Sequence, residues 1–435
     1  MTSPIQSVLD NDLCIACGAC IQACPASVIQ PAFHAGRGAW EVRIIDPGAC
    51  TGCAGLCGDV CPSVEVDLAT LAGTDEAPAR NGWTRQVWTG HAPGHQSNGV
   101  SSSGGVLRLL AVHALEQGMP VLCLASSQAG GDYEARLLTG LEDLARVPGS
   151  IYHSVSFTEA IPILRAAERP CLVIAIPCHL EGLLAYARMV EPALLEKVGF
   201  VAGIICGWMY SRHSLDAFAA YKALPGPVLD AGYRGEDKVG KLKIHTPAGT
   251  FAYDRRRFGT VDEMVDYRAS FSTDANRLRC RVCQNHLNIL ADVAVGDAWL
   301  ARSGNRKLSV VVARTERGEA RIEELVSSGA LALEPGGFAD VVESQSANLV
   351  EGQVARRLAS WLSRRGIATP HFRFADGHRE FRPTLLQSLM FRIEFLKRGL
   401  LRRGWYRSYR TVYAFQKFPV ILSFLLRKYS MRKGM

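Results

Sequence analysis

Two cysteine runs constrain this chain more than anything else in it. They are Cys14-x-x-Cys17-x-x-Cys20-x-x-x-Cys24-Pro25 and Cys50-x-x-Cys53-x-x-x-Cys57-x-x-x-Cys61-Pro62. Three thiolates this close can wrap one face of an iron–sulfur cubane if the loop is tight, which Gly18 and Ala19 permit. The fourth, held by the proline after it, points to a second cluster. Crossing the runs in this way assigns Cys14, Cys17, Cys20 and Cys61 to one 4Fe–4S cluster, and Cys50, Cys53, Cys57 and Cys24 to the other. The second run departs from the commonest spacing by one extra residue between its second and third cysteines. Zinc sites usually use two separated Cys-x-x-Cys pairs, which these runs do not match. Disulfides are the other alternative and are rare in a reducing compartment.

That compartment is an expectation from the rest of the chain. Among the 435 residues no apolar stretch reaches the length of a membrane span, which needs roughly 18 residues. The first 20 residues lack a basic start followed by an apolar segment, so an intracellular, cytoplasmic location is expected. With 48% apolar residues, the chain can bury a small module and a large core beside it.

After the cysteine runs the pattern changes. Ala69 to Asn81 has no apolar periodicity and reads as a linker. Beyond it, Val121–Ala125, Cys171–Ile176 and Phe200–Cys206 are short apolar runs of strand type, among helical patterns at Val106–Gln117, Leu180–Met189 and Leu215–Lys222. Further strands are predicted near Lys241–His245, Ala291–Val295 and Ser309–Ala313, and a helix over Glu319–Val326. Strands alternating with helices predict a mostly parallel, covered sheet in an α/β fold.

Two features of this region bear chemistry. Ser101, Ser102, Ser103, Gly104 and Gly105 stand just before a predicted helix, where free amides and hydroxyls suit a phosphate. The same residues could equally be a helix cap, and they match neither a Walker loop nor a dinucleotide fingerprint. Cys178 and Cys206 each end an apolar strand, and strand C-termini of a parallel sheet share one rim where ligands collect. With Cys280 and Cys283, in the basic loop around Arg277 to Arg281, they could complete a third cluster or be buried free thiols. Cys123 and Cys171 read as core residues.

In order, the motifs are a two-cluster module, Ser-Ser-Ser-Gly-Gly-Val (101–106), Ile-Pro-Cys-His (176–179), Ile-Cys-Gly (205–207), Tyr-Arg-Gly (233–235), Cys-x-x-Cys (280–283) and Val-Gly-Asp-Ala-Trp (295–299). This series resembles the coenzyme F-420 hydrogenase/dehydrogenase beta-subunit family over roughly residues 10 to 335, a family to which 7-hydroxymethyl chlorophyll a reductase is also similar. The resemblance implies a ferredoxin-like module over 1–68, a linker over 69–83 and an α/β domain over 84–340 that binds FAD and its own 4Fe–4S cluster. It implies Cys178, Cys206, Cys280 and Cys283 as ligands of that cluster, and Ser101 to Gly105 as a flavin-phosphate cradle. It also places Arg234 and Asp297 near the flavin. Arg234 would pair with a pyrophosphate or flavin ring, or form a surface salt bridge. Asp297 would hold a ribityl hydroxyl or cap a helix. His179, beside Cys178, could move protons or serve structurally.

Residues 341–435 are expected to form a helical basic extension. From Phe391 to Met435, twelve Lys and Arg face one acid, Glu394, an excess of +11 that leaves about −3 of the net +8 for the rest. Leu385, Leu389, Ile393, Leu396 and Leu400 fall near helical spacing, and Phe418 to Leu426 forms a second apolar run. A membrane surface at the inner face, an acidic protein partner and a solvated cap all suit this segment, whereas no nucleic-acid-binding module accompanies the charge. Together these readings predict an oxidoreductase that passes electrons between ferredoxin or another one-electron carrier, three 4Fe–4S clusters and FAD, and a small two-electron substrate, F-420 or another organic molecule. The rival readings are a non-catalytic electron-transfer subunit and a redox-sensing module.

Overall fold

Each cysteine run wraps a short helix, Ala19–Gln22 in the first and Leu56–Asp59 in the second. Strands β1 (Ile29–His34) and β2 (Ala39–Ile44) form the hairpin between the runs, and β3 (Glu65–Asp67) follows them. The computed structural model describes residues 3–95, 101–127, 132–234, 240–254, 275–377 and 381–405. Gly235 and the apolar run from Phe418 to Leu426 lie outside these residues.

The segment read as a linker does not separate two bodies. It contains a helix, Leu68–Ala72, whose N-terminus is capped by Asp67, and whose Leu68 and Leu71 are buried in the main core. That core belongs to an eight-stranded sheet of β4 (Gln86–His91), β5 (Val121–Ser126), β6 (Tyr133–Leu138), β7 (Cys171–Ala175) and β8 (Val198–Ile204), then, beyond a small three-stranded sheet of β9 (Asp230–Gly232), β10 (Lys241–Thr246) and β11 (Gly249–Asp254), β12 (Val293–Asp297), β13 (Ser309–Ala313) and β14 (Ala332–Gly336). The strand order is β14-β4-β13-β12-β8-β7-β5-β6.

The sheet is mixed. Only its centre is parallel, through the pairs β12–β8, β8–β7 and β7–β5; both flanks are antiparallel. The expectation of a mostly parallel sheet therefore holds for the centre alone. Parallel neighbours need a crossover of a dozen or more residues, usually a helix, and the β5–β6 and β12–β13 connections are too short for one.

Residues beyond 340 return to the cysteine-rich module. Leu358, Trp361 and Leu362 of the Ser346–Ser363 helix pack among Ile5, Val8, Cys14 and Cys20. Strand β15 (His371–Arg373) pairs in parallel with β3. The last described helix, Leu385–Arg402, starts at a capping box of Thr384 and Gln387, as the apolar spacing predicts.

The segment Arg277 to Arg281 joins these parts. Rather than a loop, it forms the short helix Leu278–Arg281 with Arg277 at its N-cap, and its three arginines are buried and paired: Arg277 with Asp12 at 2.9 Å, Arg279 with Glu181 at 2.9 Å, and Arg281 with Glu394 at 2.8 Å. Their acids lie in the module, the main domain and the C-terminal helix. Asp12 also meets Arg398 and Arg402. Burial works against its charge, but Arg277, Arg402 and Arg398 together hold its carboxyl below the ordinary value of 3.8. Its stabilising contribution is therefore complete above that value and drains away as pH falls through the lower folded one. Asp12→Asn removes the one carboxylate that three guanidinium groups share. We expect it to cost about 3–5 kcal/mol at neutral pH, read as a fall in the denaturant midpoint, and to lose that cost at low pH.

Candidate iron–sulfur and flavin sites

The eight cysteines of the module gather around two cavities. One is lined by Cys14, Cys17, Cys20 and Cys61, closed by Ile5, Val8, Leu9 and Val42. The other is lined by Cys24, Cys50, Cys53 and Cys57, beside Pro4, Pro25 and Ile29. Each run thus contributes its last cysteine to the cavity of the other. Among the described residues no three His, Cys, Asp or Glu side chains stand close enough to share one metal ion. Thiolates around a four-iron cubane each take a different iron and stand farther apart.

Burial disfavours bare thiolates here. It pushes Cys61 up to about 12, an effect that the Ser63 and Val64 amides and Arg279 only partly offset. Cys17 and Cys20 are raised by the same burial and by their neighbouring cysteines. A bound metal centre removes this penalty, since a coordinating thiol is deprotonated outright.

A third group assembles from three distant segments. Cys178 lies in the first turn of the Pro177–Met189 helix, after β7; Cys206 follows β8; Cys280 and Cys283 flank the end of the Leu278–Arg281 helix. Burial raises Cys178, and Cys206 and Cys280 are among the charges it senses. Cys206 in turn senses Cys280 and Cys283, so the four form one electrostatic group. Cys283 is pushed up by burial to about 11, with Arg279 acting against the rise. Cys123 and Cys171, by contrast, are buried within β5 and β7 among aliphatic neighbours.

The first and third groups adjoin along one face of this helix, since Cys178 and Gly182 are four residues apart. Gly182 is one turn after Cys178, about 6 Å of helix rise. A Cβ placed on Gly182 would stand 2.6 Å from Cys17 Sγ. Only glycine lets the helix approach that closely. The Arg279–Glu181 pair fills the same gap: Arg279 donates to Glu181 and to the Pro62 carbonyl, and Asn285 donates to the other oxygen of Glu181. Gly182 and Glu181 carry no sequence signal of their own, whereas Arg279 stands out only as part of a basic segment.

The serine–glycine turn meets Arg234 and Asp297 on the same side of the sheet. Arg234 donates two hydrogen bonds to Asp297, at 2.9 and 3.1 Å, and a third to the Ser102 carbonyl. This salt bridge is buried on the arginine side rather than exposed. None of the serines caps the helix: its N-cap is Gly105 in the left-handed conformation, without a side-chain cap. Ser102 and Ser103 instead bond to Gly149 and Leu308, and Ser309 Oγ accepts from the Gly104 amide. The Ser101 hydroxyl is buried with no partner among the described residues. Lys307 lies beside it, donating to the Ser101 carbonyl at 3.3 Å.

Sheet topology explains the gathering. Cys178, Cys206 and Asp297 follow or end the neighbouring parallel strands β7, β8 and β12, and Ser309 begins the antiparallel β13. All four therefore lie on one rim, in that order. Ile205, next to Cys206, touches Gly296, next to Asp297. Two histidines near this rim stay neutral. His179 is stacked on Phe157 with ring centroids 4.7 Å apart, and burial pushes it down to about 4. His286, also lowered to about 4 by burial, lies 3.2 Å from the Cys206 carbonyl and edge-on to Trp208.

Comparison with known proteins bears on both parts of the chain. Residues 13–64 match the 4Fe-4S dicluster domain. Residues 169–337 match the family described as the C terminus of the coenzyme F420 hydrogenase/dehydrogenase beta chain. One component of the F(420)H(2) dehydrogenase of Methanosarcina mazei is 25% identical over 337 residues, 73% of this chain and 84% of that protein. The coenzyme F420-dependent sulfite reductase of Methanocaldococcus jannaschii is 20% identical over 331 residues, 72% of this chain but 46% of that protein. A chain of the F420-reducing NiFe hydrogenase complex from Methanosarcina barkeri has a similar fold, with a TM-score of 0.50 and 18% identity over 70% of this chain and 98% of that one. The protein therefore combines a 4Fe-4S dicluster domain with a C-terminal domain of the F420 hydrogenase/dehydrogenase beta-subunit type, and it is an iron–sulfur redox protein of the oxidoreductase kind.

Gly182→Val tests the close approach. The added side chain would force the helix and the Cys17 loop apart. The purified variant is expected to lose about four irons per chain relative to wild type, the content of one cubane. Unchanged iron content would show that the gap tolerates a side chain.

Proposed function

We propose that this protein is an iron–sulfur flavoprotein that exchanges electrons between a ferredoxin-type one-electron carrier and a two-electron substrate, coenzyme F-420 or a related organic molecule. The observation that carries this reading is the single rim on which a four-cysteine group adjoins the Ser101–Gly105, Arg234 and Asp297 constellation. Clusters handle single electrons and a flavin handles pairs, so a chain that holds both can link one-electron to two-electron chemistry.

The residues fit FAD in a specific way. The Ser101 hydroxyl, without a partner among the described residues, and the uncapped helix start beyond Gly105 would receive a phosphate, with Lys307 beside them to balance its charge. Arg234, fixed by Asp297, would present a rigid guanidinium to the same anion. Asp297, whose side chain is 26% exposed, would accept from a ribityl hydroxyl. When bound, FAD would supply hydride and single-electron chemistry. The protein's own share is to hold it at the strand ends next to Cys206 and to keep His179 and His286 neutral and buried.

The three cysteine groups lie in series along the fold. The pair of cavities in the module comes first, with the outer one including the exposed Cys53; the group at Cys178 follows across Gly182. The F-420 relatives support the choice of substrate, since two of them carry that coenzyme in their names.

Anaerobic purification followed by flavin analysis tests the reading. We expect about one FAD per chain, bleached on mixing with reduced F-420. Ser101→Ala should weaken FAD binding about five- to tenfold, the worth of one hydrogen bond. A protein that binds no flavin even after incubation with FAD would overturn the enzyme reading and favour a non-catalytic electron-transfer role.

A further inference from the structure

We propose that the outer face of the Leu385–Arg402 helix docks this protein on a lipid surface bearing anionic headgroups. The helix has two unlike faces. Its inner face is anchored: Phe391, Glu394, Arg398 and Leu401 are buried, with Glu394 paired to Arg281 and Arg398 to Asp12. The outer face exposes Leu385, Leu386, Leu389, Met390, Ile393 and Leu396, from 42% at Ile393 to 90% at Leu385. Six large apolar side chains along one solvent-facing stripe are more than a folded surface needs, and such stripes mark interaction sites.

The charges around the stripe select the occupant. Arg382, Arg392 and Arg403 are exposed beside it. The one acid of the helix, Glu394, is turned inward onto Arg281, so the outer face offers apolar and basic groups only. Trp405, at the end of the stripe, is also exposed, and tryptophan favours the boundary between headgroups and acyl chains. From Tyr406 to Met435 the sequence adds seven Lys and Arg and no acid. An apolar stripe bordered by cations is the signature of a helix lying in the plane of an anionic bilayer. A second copy is a poor occupant, because two basic faces would repel each other. Spanning is a different matter: no helix among the described residues is long and apolar enough to cross a membrane.

The docking helix packs on the cysteine-rich module, since Phe391 shares a core with Cys14 and Cys20. Attachment would thus hold the module at the membrane side of the molecule.

Cosedimentation of the full-length protein, purified anaerobically with its iron, tests the proposal. Vesicles of phosphatidylcholine alone are compared with vesicles of phosphatidylcholine and phosphatidylglycerol. We expect pelleting with the anionic vesicles only, reversed by salt, with Arg392→Gln lowering the partition coefficient about fivefold. The double variant Leu389→Glu/Ile393→Glu, at exposed positions, should lose binding while retaining wild-type iron content. Should that variant misfold, the salt reversal and Arg392→Gln decide alone. Wild-type protein left in the supernatant with both vesicles would overturn the proposal, as would equal binding to neutral vesicles. A wild-type dimer that the double variant converts to monomer, without vesicle binding, would assign the face to a second copy instead.

Discussion

Three buried arginines in five residues hold this molecule together. Arg277, Arg279 and Arg281 each reach a carboxylate from a different part of the chain, namely Asp12, Glu181 and Glu394. Charges this deeply buried are tolerated only when paired, so the three ion pairs must form together with the packing around them. Between the arginines sits Cys280, and two residues after them Cys283. The segment that fastens module, domain and C-terminal helix is therefore the same one that supplies half of the third cysteine group. If that group holds the proposed cluster, its loss and loosening of the module should be coupled, because both act on one short helix.

The sheet provides the other constraint. Parallel strands β7, β8 and β12 bring residues distant in sequence to neighbouring positions on one rim, and the antiparallel β13 returns Ser309 to it. Ser309 receives the Gly104 amide there, and Arg234, which follows β9 of the separate three-stranded sheet, reaches the same rim through its bonds to Asp297 and the Ser102 carbonyl. Ile205 and Gly296 pack together between Cys206 and Asp297. Low dielectric surroundings raise the bare thiols and lower the histidines, which leaves few mobile protons near the proposed redox centres.

Much of this was legible in the sequence. The cysteine spacing, with a proline after Cys24 and after Cys61, carries the crossed grouping locally. Strand ends at Cys178 and Cys206 were readable because apolar runs stop there. Strand direction in the flanks was not, as alternation marks a strand without orienting it. The partners of Arg277, Arg279 and Arg281 were hidden too, because ion pairs across one to several hundred residues leave no periodic trace. The same limit applied to Gly182, whose need for a missing side chain appears only when Cys17 stands against it. Helical spacing around Leu385 marked an apolar face correctly, yet spacing alone could not tell that this face points outward.

Under the proposed function, Cys178, Cys206, Cys280 and Cys283 hold a third cluster one helix turn from the group at Cys17. Electron paramagnetic resonance of the fully reduced protein, compared with its Cys206→Ser variant, tests this most directly. The account predicts a wild-type spectrum broadened by spin coupling to a third centre, and a variant spectrum reduced to that of the two-cluster module. Identical spectra from the two proteins, both with the two-cluster signal alone, would contradict it.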